Sequence, residues 1–389
     1  MKILLIADGR SPITRRWISM LAPLDLQIVL VSSYPCERMP GLSGFYVLPL
    51  AFGSHGGGQA GQVKSGLSTR LIGYVRPLAQ RVRQLFGPWT LVKHYPEYLE
   101  ILNAEKPDLV HALRIPFEGM LAGGTPMGTP CVISTWGNDL TLHARSASRM
   151  AVLTRGALLR ADALICDTRR DAELALDWGF RPEKTRLVVP GNGGLDLDEM
   201  LQAAAGLQPA DPPLVINPRG LRSYTRTDTF FKAIPLVLAE RPTVHFLCAS
   251  MQGQPEALKW VKRLGISASV TLLPCLSQHE LWREYARSLV TVSVSEHDGT
   301  PNSLLEAMAL GCFPVCGDIE SIREWITSAE NGFLVHPADH KALARAILDA
   351  LKDERLRYAA AKRNAQIIRD AAGIKMTRQK VKQLYEQLF

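Results

Sequence analysis

The sequence predicts an α/β protein of two doubly wound, Rossmann-like domains, and three observations carry that prediction. Short apolar runs of strand length alternate with amphipathic segments of helical period along the whole chain. At 389 residues and 47% hydrophobic content the chain outgrows one core, since single cores stop growing near about 250–300 residues. An apolar run from Leu289 to Ser295, a loop, a helical segment and a second apolar run from Phe313 to Asp318 make a βαβ unit. In such units ligands sit in the crevice at the carboxyl ends of the strands.

The elements follow in order. ILLIA in the opening MKILLIADGR is too brief for a signal-peptide core or a membrane span, and reads as the first strand. LQIVLVSS, GFYVLPL, DLVHAL, PCVIST, ALICD and RLVVP supply further strands, with TRRWISMLAPL and MAVLTRGALLRA as helices between them. The first domain is expected to span 1–205, its end marked by GNGGLDLDEM and an Ala, Pro and Gly-rich connection through Pro213. The second, 206–375, restarts with PLVINP and continues through FKAIPLVLAE, TVHFLCAS, ALKWVKRLG and SVTLLP. A last helix occupies 376–389.

Charge is informative locally rather than in sum. The net +8 is moderate, but no acid lies between Glu37 and Glu97, whereas Arg38, Lys64, Arg70, Arg76, Arg81, Arg83 and Lys93 do. Within that stretch, Thr69 to Phe86 mixes apolar residues and arginines at roughly helical spacing, with Pro77 interrupting the pattern. Two readings stand: an anionic membrane surface, or a helix packed on its domain with a solvated basic face. The glycines of Ser54 to Gln62 read as a mobile loop. Nucleic acid is not an expected partner, because the basic residues accompany no recognition motif. Seven scattered cysteines without zinc spacing predict free thiols in a reducing cytoplasm.

The densest chemistry lies in SEHDGTPNSLLEAMALG, residues 295–311, where Asp298 and Glu306 stand eight apart across a helix start. Thr300 is suited to cap that helix and Pro301 to open its first turn, with Asn302, Ser303 and Leu304 following. The unpaired first N–H groups at the positive end of the helix can receive a diphosphate, and Gly299 lets the backbone approach it. Two carboxylates so placed can accept hydrogen bonds from the hydroxyls of a sugar and a ribose. After a strand, NPRGLRSYTRTDTFFKA adds Arg219, Arg222 and Arg226, cations able to fork onto phosphate.

An acid, seven residues and then Glu-Ala, met by Asp298 through Glu306-Ala307, resembles the signature of the family 4, glycogen-synthase-like retaining glycosyltransferases, and Asp318 to Ile347 resembles that family's continuation. The resemblance implies the GT-B fold, two Rossmann-like domains facing across a cleft, with the last helix crossing back to the first domain. It implies a metal-independent hexosyl transfer, without cofactor, from a nucleotide diphosphate sugar, most commonly of uridine, to a hydroxyl of a glycan, lipid-linked or small-molecule acceptor. Asp298 would meet the donor sugar, Glu306 the ribose and Arg219 the diphosphate. Tyr224 stands where the family carries a lysine, so Arg222 or Arg226 would replace that cation. On the acceptor side the resemblance points to Gly9 and Arg15 in the opening loop, to His111 as a catalytic histidine, and to Asn138 and Asp139. The location implied is cytoplasmic, or peripheral on the inner membrane face. A noncatalytic nucleotide-sugar-binding protein and a nucleotide-sugar epimerase on a related fold are the alternatives.

Overall fold

The computed structural model describes residues 1–51, 69–222 and 224–388, the side chains of 69–82 excepted; Ser54 to Gln62 lies outside the described residues. The chain divides into two compact units, Met1–Gly194 with Thr377–Phe389, and Leu195–Met376. The boundary falls before the expected 205 because Leu195 bridges to Gly373, and Met200 packs with Leu214, Ile216, Trp282 and Tyr285 in the second core.

The first unit holds β1 (Lys2–Ala7), β2 (Gln27–Ser32), β3 (Gly44–Val47), β4 (Leu109–Ala112), β5 (Cys131–Thr135), β6 (Ala163–Cys166) and β7 (Thr185–Val188). They form one sheet in the order β3-β2-β1-β4-β5-β6-β7, every pair parallel. Its inner strands are buried on both faces, Ile3 to Ile6 and Val29 to Val31 completely, because helices cover both sides. Those helices are α1 (Pro12–Leu21), α2 (Thr69–Glu105), α3 (Met120–Ala122), α4 (Ser148–Arg160) and α5 (Arg169–Asp177). The strand order reverses direction between β1 and β4, so the loops after these strands form the switch point where α/β sheets take ligands.

In α2 the helix continues through Pro77, where the sequence predicts an interruption, and through Pro88 and Pro96. Packing outweighs the lost hydrogen bonds: Leu91, Tyr98, Ile101 and Leu102 are buried, and a side chain on Gly87 would collide with Phe117.

The second unit holds α6 (Leu197–Ala203), β8 (Leu214–Asn217), α7 (Thr227–Glu240), β9 (His245–Cys248), α8 (Pro255–Leu264), β10 (Val270–Leu272) and α9 (Gln278–Arg287). It continues with β11 (Val290–Ser293), α10 (Asn302–Ala309), β12 (Phe313–Gly317), α11 (Glu320–Arg323), β13 (Phe333–Val335), α12 (His340–Lys352) and α13 (Glu354–Ala371). The parallel sheet runs β10-β9-β8-β11-β12-β13, with its switch point between β8 and β11. The loops leaving those two strands are the arginine-rich and the Asp298 segments. A final helix, α14 (Ile374–Gln387), starts in the second unit, and from Thr377 the chain belongs to the first. Among the described residues no helix is long and apolar enough to cross a membrane.

Candidate active site

In the second unit the switch point gathers the predicted donor residues. Arg219, two residues beyond β8, donates from Nη2 to Asp298 Oδ2 at 2.5 Å and from Nη1 to Ser303 Oγ at 3.2 Å. One guanidinium thus ties the β8 loop to both sides of the turn before α10. Asp298 Oδ1 also accepts from Gly299 N at 3.2 Å. Burial pushes the Asp298 carboxyl above its usual range, against the opposing pull of Arg219.

Helix α10 begins one residue later than predicted. Pro301 is the cap, with extended φ of −72° and no side-chain cap hydrogen bond, while Thr300 Oγ1 accepts from the Trp325 indole at 3.1 Å. The proline ring fixes φ but brings no acceptor, so the cap residue's own side chain does not satisfy the first turn. Inside the helix, Leu304, Leu305, Ala307 and Met308 are buried in the core, which orients Glu306. Glu306 Oε1 accepts from Gln278 Nε2 at 2.6 Å, from the start of α9.

The other two arginines differ. Arg226 donates to Asp228 at 2.9 and 3.1 Å and to Glu296 at 2.7 Å, so two carboxylates hold its charge. Its backbone sits at φ +39°, a left-handed conformation held by those bonds at the start of α7. Arg222 donates instead to a neutral partner, the Tyr224 hydroxyl, at 3.0 Å, and its charge is near enough to favour ionised Asp298.

The first-unit candidates are dispersed. Gly9 is buried where a Cβ would meet Cys36 Sγ at 2.5 Å, and its N–H donates to Ser32 Oγ at 3.1 Å, so it closes the β1 loop by close packing. Arg15 is exposed on α1. His111 is fully buried on β4: Nδ1 is bonded to the Tyr385 hydroxyl at 2.7 Å and Nε2 to Ser134 Oγ at 2.8 Å. Burial lowers its pKa to about 3, which keeps the ring neutral. With both nitrogens committed, this ring fastens α14 to the sheet, as its edge contact with Tyr385 also indicates.

Asp139 departs from its expected role as a ligand for acceptor hydroxyls. It is fully buried and accepts from Arg114 Nη2 at 2.7 Å, Ile115 N at 3.1 Å and Trp136 N at 3.2 Å. Its charge is used to anchor Arg114 and the loop after β4. Asn138 beside it keeps a buried Oδ1 without a hydrogen-bond partner. The acids of the DLD segment are likewise structural, Asp196 capping α6 and Asp198 pairing with Lys375. No group of three or more His, Cys, Asp or Glu suited to a metal occurs among the described residues.

Several residues at these switch points escape a reading of motifs. Gln278 and Trp325 come from other strand-helix units of the second domain, and nothing local to their sequence marks them. Arg114 and Glu118 did carry a signal: Arg114 follows a strand end, and Glu118 is the only acid from Leu109 through Asn138.

The model of the family described as Glycosyl transferases group 1 matches residues 200–367, and that of the Glycosyl transferase 4-like domain matches 11–191. A D-inositol 3-phosphate glycosyltransferase of Streptomyces avermitilis is 29% identical over 258 residues. That match takes in 57% of this chain and 54% of the relative, so the chain spans about half the length of the curated relative it matches. Among solved structures, sucrose-phosphate synthase from Thermosynechococcus elongatus is similar at a TM-score of 0.76 and 18% identity, covering 100% of this chain and 99% of that one. Anabaena HepE, solved in complex with UDP and glucose, is similar at 0.69 and 15% identity, with 100% of both chains covered. The chain therefore belongs to the glycosyl transferases group 1, the family 4, glycogen-synthase-like group, and has the α/β GT-B fold.

Proposed function

We propose that the protein is a retaining glycosyltransferase that moves a hexose from a uridine diphosphate sugar to an acceptor hydroxyl, without a metal or other cofactor. The observation that carries the reading is the cluster of Arg219, Asp298 and Ser303 at the second-unit switch point, beside a helix start whose cap residue, Pro301, makes no side-chain cap hydrogen bond. The helix end and Arg219 hold the diphosphate, and they meet growing negative charge as the sugar leaves. Asp298 accepts from the donor sugar's hydroxyls and Glu306 from the ribose, with Gln278 fixing the Glu306 carboxylate. Arg222 takes the place of the family lysine, because Arg226 is neutralised by Asp228 and Glu296. His111 is assigned to packing rather than to chemistry. Retention follows from attack on the face the diphosphate leaves, that group itself taking the acceptor proton. The complex of HepE with UDP and glucose supports the choice of uridine.

Calorimetric titration with UDP and UDP-glucose, without added metal, tests this reading. UDP should bind, and Glu306→Ala should weaken it about tenfold or more, the scale of a lost charged hydrogen bond. An unchanged affinity in that variant would remove the ribose assignment. The anomeric configuration of the product, read by NMR, decides retention.

We also propose that α2 rests on an anionic membrane, where a lipid-linked acceptor would be met. Leu85, Phe86, Trp89 and Val92 lie on one exposed face of that helix, Trp89 being 60% and Val92 66% exposed. Lys93 is exposed beside them, and the Arg149 guanidinium sits 4.3 Å from the centre of the Trp89 ring. Apolar side chains flanked by cations, with aromatic residues among them, suit an interface helix.

A further inference from the structure

The first unit contains a cavity of about 170 Å³ at its own switch point, lined by Arg10, Arg83, Arg114, Tyr34, Trp136 and Glu118 among others. Its walls come from the loops after β1, β2, β4 and β5 and from α2. Three guanidiniums converge there, each held by an aromatic ring. Arg10 lies 3.6 Å from the Tyr34 ring centre and Arg83 5.4 Å from the same ring, while Arg114 is 5.3 Å from Trp136. Stacking fixes the guanidinium planes and leaves their edges to donate.

The charges in this cavity are paired unequally. Arg10 is bound by Asp8 at 3.1 Å, and Arg114 by the buried Asp139. Arg83 forms no ion pair among the described residues; it lies against Tyr34 and Phe117, and its buried Nε has no hydrogen-bond partner. Glu118 is 2% exposed; its Oε1 accepts from Ser33 Oγ at 2.5 Å, and its buried Oε2 has no partner. Two like charges against one Tyr34 ring repel, and the half-buried Arg83 has no ion pair among the described residues to offset its desolvation. A single anionic group among these guanidiniums removes both penalties. Helix α1, capped by Ser11 at the cavity wall, adds its positive end. Burial raises the Glu118 pKa, against the opposing pull of Arg114, Ser33 and Arg83.

We propose that this cavity binds an anionic group, a phosphate ester or a carboxylate, on the acceptor sugar, with Arg83 as the residue that selects for it. The proposal rests on the glycosyltransferase reading above and names the class of acceptor. A neutral sugar would satisfy Glu118 but leave Arg83 unmatched.

Calorimetry on the full chain tests it with glucose 6-phosphate, glucuronate and glucose as probes, each with and without UDP, because a phosphate ester can also compete at α10. At least one anionic probe should bind at least about tenfold more tightly than glucose, and Arg83→Gln should lose that preference, in keeping with a charge-assisted hydrogen bond. Arg83→Lys, which keeps the charge without the fork, should retain part of it. Binding of the phosphate alone, or of the carboxylate alone, supports the proposal and identifies the group. Equal binding of all three sugars overturns it, as does wild-type preference in Arg83→Gln. UDP binding in the same samples reports on the donor reading separately, so failure of one leaves the other legible.

Discussion

At the residue scale, the division of labour among the arginines is decided by partners rather than by position. Arg226 has the most carboxylate partners of the three, and for that reason the least to offer a phosphate: Asp228 is held well below its usual carboxylate range by Arg226 first and Lys232 next. Among the described residues Arg222 donates to a tyrosine hydroxyl. We therefore expect Arg222→Ala to weaken UDP-glucose binding by roughly tenfold, and Arg226→Ala by no more than about twofold. Arg226→Ala should instead lower the melting temperature, since it leaves Asp228 and Glu296 without their shared cation. Titration calorimetry and thermal melts of the two variants separate these outcomes, and the reverse ranking would exchange the roles. Asp298 belongs to the same scale. Its carboxylate lies in direct contact with Arg219.

At the element scale, α2 shows how packing overrides local propensity. Three prolines within 37 residues would end most helices, yet one face of this one is pinned by Leu91, Tyr98, Ile101 and Leu102. The opposite face carries Phe86, Trp89 and Val92 into solvent. If that face meets lipid, the wild-type protein should sediment with vesicles containing phosphatidylserine at low salt, and less at high salt. Trp89→Glu combined with Val92→Glu should abolish sedimentation while leaving UDP affinity intact. A double variant that sediments as before would restore the alternative, a solvated face.

At the scale of the whole molecule, the burial of His111 makes folding of the first unit sensitive to acid. The folded pKa of about 3 lies below the ordinary value of 6.5, so the unfolded chain takes up the proton first. The contribution is fully present above pH 6.5 and is lost as pH falls from 6.5 toward about 3. At pH 5 the loss amounts to about 2 kcal/mol. His111→Gln, which keeps a hydrogen-bonding side chain but cannot titrate, should be less stable than wild type at pH 8 and should lose less stability between pH 6.5 and 4.5. Urea melts at each pH give the comparison; parallel slopes for the two proteins would mean that the ring does not control this transition.

The sequence by itself determined the architecture and singled out the Asp298 segment of the second unit. Strand and helix periods are local properties, so β1 to β12 were legible from their apolar runs, and Asp298 to Glu306 was legible because one short segment carries the cap region, the glycine and both acids. The domain boundary was misplaced because α6 looks like a polar connection until Met200 is seen in a core that forms from distant segments. What only the tertiary structure decided is which polar side chains remain available once others have claimed them. His111 near the end of β4 and Asp139 after β5 stand at the carboxyl end of the first sheet, but their hydrogen-bonding capacity is spent on Arg114, Tyr385 and Ser134. Arg83 and Tyr34, separated by long stretches of chain, meet at one cavity with Arg10 and Arg114. Periodicity follows from neighbours in sequence, whereas the pairing of charges follows from neighbours in space.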